Sequence, residues 1–201
     1  YSYKAYRLVK NKKYFYFSVG FFSIAMGFLF KIISNSVIMF LLFFTELARA
    51  IPFMKASYFY TGSLILFAFL ILSGYVIFSC LALNVKDKRV IFALLLIAFI
   101  SAILVRQARS FTFFYFFAFV LLVVHVVPYM YNNYKKQKSK SSYIVFLSFL
   151  LLAVSNFIFI GINLYGSSLY VVGHSISLLA YLLLLINLVL VLKKWVKEEI
   201  N

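Results

Sequence analysis

Carboxylates are the scarcest functional groups in this sequence: Glu46, Asp87, Glu198 and Glu199 stand against 20 Lys and Arg. So few acids leave no aspartate pair to hold Mg²⁺ against a phosphate, and a proton- or sodium-coupled carrier would have Glu46 as its sole intramembrane carboxylate. Cysteine occurs once, at Cys80, which excludes an internal disulfide and any multi-cysteine metal site. The HExxH, GxSxG, P-loop, Rossmann glycine and CxxC patterns are all missing, so no catalytic residue, cofactor or metal site is expected. No apolar span carries a mid-helix lysine, which removes a retinal-type Schiff base. Charged residues make up 12% of the chain, far below the roughly 25% of soluble domains, which excludes a soluble globular fold.

What is present is apolar chain. Hydrophobic residues reach 66%, aromatic residues 21%, and the mean hydropathy is +1.04. Six uncharged or nearly uncharged runs, residues 14–33, 58–83, 90–105, 111–131, 143–164 and 169–192, approach or exceed the ~20 residues that cross the ~30 Å hydrocarbon layer as a helix. The reading is an all-α polytopic bundle forming one integral membrane domain, 1–201, with a basic segment at 1–13. The last pair is the clearest hairpin, with Lys140 before it, Lys193 and Lys194 after it, and an uncharged Tyr165-Gly166-Ser167-Ser168 turn between. Tyr14-Phe15-Tyr16-Phe17 forms an aromatic belt at the start of the first span, Lys31 near its end can snorkel outward, and Trp195 can anchor the far end of the chain.

Residues 37–53 are apolar apart from Thr45, Glu46 and Arg49, and read as an interfacial or re-entrant helix, with a seventh span as the alternative. Charge placement favours the first. With 37–53 outside the bilayer and the N-terminus cytoplasmic, 15 bases lie inside and five (Lys31, Arg49, Lys55, Arg106, Arg109) outside. A seventh span moves every later loop and gives 9 inside and 11 outside, which insertion bias does not select. Six spans in three hairpins follow, with both termini cytoplasmic and the plasma membrane as the location. The net charge of +16 would suggest nucleic acid in a soluble chain, but here the bases sit in clusters between apolar spans, so the expected partners are membrane lipids with anionic headgroups and no nucleic acid.

Candidate site residues are few. Glu46 and Arg49, three apart, share a helical face and can pair at membrane depth or on the wet face of an interfacial helix. In the last hairpin Ser148, Ser155 and Asn163 share a stripe with Asn156 beside it, and Gly173, Ser177, Ala180, Leu184 and Asn187 recur on one face of the following helix, which His174 opens. Such a polar seam either lines a path for a solute or joins two helices. His125 and His174 differ by about 13 Å in depth, too far to share a metal ion or haem, and each is expected to be a hydrogen-bonded structural histidine. A lipid-modifying enzyme would need Asp87, Glu46 or a histidine to converge, which the spacing does not predict. A faint duplication lays residues 20–27 on 148–155 and residues 63–72 on 175–184, so that the first hairpin would repeat as the last. Gly20, Ser23 and Gly27 mark a small-residue face suited to close helix contact.

Lys4-Ala5-Tyr6-Arg7, Val19-Gly20-Phe21, Gly27-Phe28 and Gly173-His174 together resemble small uncharacterised prokaryotic, especially archaeal, multi-pass membrane proteins. The resemblance implies a prokaryotic plasma-membrane protein with room for another span before Tyr1, and it brings no activity. Two functions remain: a non-catalytic subunit, scaffold or sensor that binds partner membrane helices, another copy of itself or lipid; or a small channel or carrier for a neutral or anionic solute.

Overall fold

A computed structural model describes residues 12–43, 53–85, 87–104, 111–161 and 168–200; among these every regular element is helical. They are α1 (Lys12–Phe43), α2 (Phe53–Ala82), α3 (Lys88–Leu104), α4 (Phe111–Val120), a π-helical stretch (Leu121–Val126), α5 (Val127–Gln137), α6 (Lys140–Ile160) and α7 (Ser168–Ile200). Five segments, Phe15–Phe40, Tyr58–Ala82, Thr112–Gln137, Lys140–Ile160 and Leu169–Val191, are long and apolar enough to cross a membrane. The 17-residue α3 is apolar throughout but shorter. By length and composition this is a helical membrane protein.

The polar triplet between the expected span 14–33 and the segment 37–53 does not stop the helix. Ser34-Asn35-Ser36 lies inside α1, where the Ser34 hydroxyl donates to the Phe30 carbonyl at 2.8 Å and so satisfies itself within the helix. The segment 37–53 is therefore divided: 37–43 ends α1, Phe53 opens α2, and 44–52, with Glu46 and Arg49, lie outside the described residues. At 32 residues α1 is about 48 Å long at 1.5 Å per residue, well beyond the hydrocarbon thickness.

Contacts group the chain into two compact units, 1–114 and 115–201, where one domain is expected from the sequence. In the first unit α1 and α2 form an antiparallel hairpin. A Cβ placed on Gly20 would meet the Phe78 ring at 2.6 Å, one on Gly27 would meet Ile71 at 3.3 Å, and one on Gly74 would meet the Gly20 carbonyl oxygen at 2.9 Å. Gly20 and Gly27 are thus at the seam, with Ile24 between them and Ser23 half-buried to one side. Phe17, Phe21 and Phe78 pack at one end, and Phe28 and Phe67 at the other, with Phe114 against Phe67. α3 lies on α2 through fully buried Ala98 and Ala102 and a Phe69–Phe99 edge contact at 5.5 Å.

The α2–α3 corner is built by its polar residues. Asn84 takes a left-handed φ of 53°, and the Val85 N–H reaches back to the Cys80 carbonyl at 2.9 Å, closing α2 as a Schellman motif. Asp87 then caps α3, its carboxylate accepting from the Arg89 N–H at 2.8 Å. That role accounts for one of the four acids in the sequence.

In the second unit α6 and α7 pair antiparallel, and α5 with the π-helical stretch packs on α6. The π stretch precedes Pro128, which has no N–H to give; the Val127 N–H bonds the Leu122 carbonyl, five residues back, in the wide-turn pattern. The two hairpins differ in register. Gly27 faces Ile71 in the first; under the sequence overlay Ser155 should then face Leu183, but it meets Ser177 instead. That offset of six residues, over one and a half turns, means the leucine-rich likeness is not carried into a shared packing pattern.

Candidate functional site

The seam between α6 and α7 is a chain of small residues whose polar atoms are spent on one another. Ser155 is fully buried; its hydroxyl donates to the Gly173 carbonyl at 3.1 Å and also meets the Ser177 hydroxyl. Each hydroxyl has one proton, so the Ser177 hydroxyl donates to Ser155 and Ser155 donates to Gly173. Further along, Ser141 donates to Asn187 Oδ1 at 2.7 Å. Buried Ala180 lies on the same face of α7 as these contacts. Gly173 is needed for approach: a Cβ there would sit 2.6 Å from the Phe159 ring.

The other seam residues turn inward on their own helix. The Ser148 hydroxyl donates to the Ile144 carbonyl at 2.7 Å, and the Asn156 amide N–H donates to Leu152 at 2.7 Å. Both side chains are buried. His174 stands on the adjoining face against aromatic rings, 4.8 Å from Phe159 and 4.2 Å from Tyr170, while Tyr115 stacks on Phe159 at 4.6 Å. Asn163 lies outside the described residues, as do Glu46 and Arg49. The arrangement joins α6 to α7, each bond worth roughly 0.6–2 kcal/mol in lipid.

Two positions behave differently from expectation. His125, expected to be a hydrogen-bonded structural histidine, lies on the π-helical stretch, and its buried Nδ1 has no hydrogen-bond partner among the described residues. The stretch that carries it lies just before Pro128, whose missing N–H affects the preceding turn. Lys31 does not snorkel from a helix end. It is twelve residues inside the end of α1, half-buried, with its Nζ 4.7 Å from the centre of the Phe67 ring. The Phe67 face offers it a cation–π contact that the sequence pattern alone does not reveal and that offsets part of the cost of its burial.

Sequence reasoning missed the turn between α5 and α6. Lys138 has a left-handed φ of 48° and its N–H donates to the Tyr134 carbonyl at 2.7 Å. Ser139 caps α6, accepting from the Ser142 N–H at 3.1 Å, and the Ser142 hydroxyl donates to Gln137 Oε1 at 2.5 Å. The signal was Ser139 placed just before an apolar run, a helix-start signature hidden within a lysine cluster. Around it Tyr134, Lys138, Ser139, Lys140, Tyr143 and Ile144 line an open depression of about 380 Å³. Among the described residues no group of three His, Cys, Asp or Glu side chains could hold a metal ion. No protein-family model, curated protein or solved structure matches the chain.

Proposed function

We infer that the protein is a non-catalytic membrane module, a subunit, scaffold or sensor that works through helix–helix and lipid contacts. The observation that carries this reading is the seam between α6 and α7: the hydroxyls of Ser155 and Ser177, and the Ser141–Asn187 pair, are committed to holding two helices together. A carrier needs such groups turned toward a solute. The proposed topology is six spans in three hairpins with both ends in the cytoplasm of a prokaryotic cell, supported by the division of basic residues, 15 inside to four outside once Lys31 is set within α1, and by the continuity of 37–43 with α1.

The partner face is proposed on α7. Only 6% of the Leu169–Val191 span is buried inside the protein, against 61% of Tyr58–Ala82. Leu178, Leu182 and Leu185 are exposed along it. Photo-crosslinkers placed at these positions in native membranes should yield a discrete protein adduct, either a partner or a second copy. Adducts to lipid alone, together with solute flux in reconstituted vesicles, would overturn the module reading in favour of a small channel or carrier.

A further inference from the structure

We propose that the turn between α5 and α6 is a binding site for the phosphate-bearing headgroup of an anionic phospholipid. This rests on the reading of the chain as a membrane protein and names the lipid chemistry and the place.

The depression is chemically one-sided. Lys138 and Lys140 stand on its rim, both exposed and neither with a carboxylate partner among the described residues. Lys136 is exposed on the turn before it, and Lys135 is occupied over the Tyr131 ring at 4.8 Å. No acid stands in the first turn of α5 or α6. Ser139 adds a hydroxyl, and Tyr134 and Tyr143, with centroids 5.3 Å apart, form an aromatic wall above Ile144. Such a surface suits an anion that brings an apolar body with it.

Position selects the lipid over a free anion. Lys140 is the first residue of a membrane-length span, Lys140–Ile160, so the depression lies where that span ends, at headgroup level. The turn is also held in shape. The Ser139, Ser142 and Gln137 side chains bond one another, and Ser141 pins the first turn of α6 to α7. Lys138 adopts a left-handed backbone that a glycine would hold with less strain, so the lysine side chain occupies a position for which backbone geometry favours its absence. That conflict supplies a clean variant, because Lys138→Gly removes the charge and relaxes the turn together.

The test is native mass spectrometry of the full chain in detergent, titrated with phosphatidylglycerol or with phosphatidylcholine. Wild type should bind phosphatidylglycerol more tightly, and each lysine should account for about a fivefold change, so Lys138→Gly with Lys140→Gln should lose roughly 25-fold. The pair Lys88→Gln and Arg89→Gln removes the same charge at the α2–α3 corner and should leave the affinity near wild type. The thermal midpoint of Lys138→Gly should equal or exceed wild type, which separates lost binding from lost folding. Equal binding of the two lipids would overturn the proposal. So would equal losses in both charge pairs, or displacement of the lipid by millimolar inorganic phosphate. Each of these leaves the module reading intact, since that is decided by protein adducts on α7. Failure to bind either lipid would overturn the site alone, and absence of adducts would refute only the module.

Discussion

Substituting Gly74 by Ala tests whether the first hairpin is held by backbone approach. A Cβ there would lie 2.9 Å from the Gly20 carbonyl oxygen and 2.5 Å from Ile24 Cγ1. Ordinary carbon–oxygen contacts of this kind are about 3.3–3.6 Å, so α1 and α2 must part by roughly 0.5 Å at this point. The carbonyl belongs to a helix backbone and Ile24 is 4% exposed, so neither can simply rotate away. Gaps of about 0.5–1 Å forfeit a quarter to a half of the dispersion energy of the atoms facing them, and overpacking of this kind costs about 1–3 kcal/mol. Against that, Ala is about 1 kcal/mol better than Gly inside a helix. The net expectation is a loss of about 0–2 kcal/mol, against a gain of about 1 kcal/mol where no contact opposes the methyl. Gly62 is the internal control, since a Cβ there meets nothing within 4 Å and only the propensity gain remains. Gly27, with contacts at 3.3 Å, falls between them. Reversible unfolding in mixed micelles of increasing SDS fraction should rank Gly62→Ala above wild type and Gly27→Ala above Gly74→Ala. If Gly62→Ala and Gly74→Ala shift stability in the same direction by similar amounts, the close-approach account of this seam is wrong.

Three further outcomes are expected. In a double-mutant cycle, Ser155→Ala and Ser177→Ala should show a coupling of about 0.6–1.7 kcal/mol in the same unfolding assay, and additive losses would mean the two hydroxyls do not bond. His125→Leu should raise stability by about 1–2 kcal/mol, because the buried Nδ1 is without a partner; a fall would show that the ring is engaged in the bilayer. Lys31→Met should raise the thermal midpoint, since a cation–π contact worth about 0.5–2 kcal/mol does not match the roughly 2.5–3.5 kcal/mol cost of a lysine at membrane depth; a lower midpoint would place Lys31 in a wet setting.

The apolar runs were legible because crossing a bilayer is a requirement of length and composition, which a single chain displays openly. Each of the six apolar runs overlaps helix among the described residues, five of them in segments long enough to cross a membrane, and the small stripe holding Gly20 and Gly27 marks a face that lies against α2. Helix ends were not legible. A run of polar residues says where the hydrocarbon stops, not where hydrogen bonding along the backbone stops, and Ser34 shows the difference by returning its hydroxyl to Phe30. The same confusion set a boundary before 37, although 37–43 continue α1.

Side-chain partners were legible only where one helix face sufficed to find them. The face bearing Gly173, Ser177 and Asn187 could be read from spacing alone, yet Ser141, which bonds Asn187, could not, because a serine beside Lys140 reads as loop until the antiparallel register is known. Register is decided by which residues meet, not by which residues repeat. Leu179 and Phe67 occupy matching places in the overlay of the two hairpins, but Phe67 is wedged between Phe28 and Phe114 whereas Leu179 is exposed. In the first hairpin Gly20, Gly27 and Gly74 admit Phe78, Ile71 and Ile24 across the seam; in the last, Gly173 likewise admits Phe159, but hydroxyls also join the helices and fix a different pairing. Two hairpins with nearly interchangeable composition thus share glycine–ring approach but differ in their hydroxyl bonds, so a serine substitution tolerated at the first seam carries no expectation for the last.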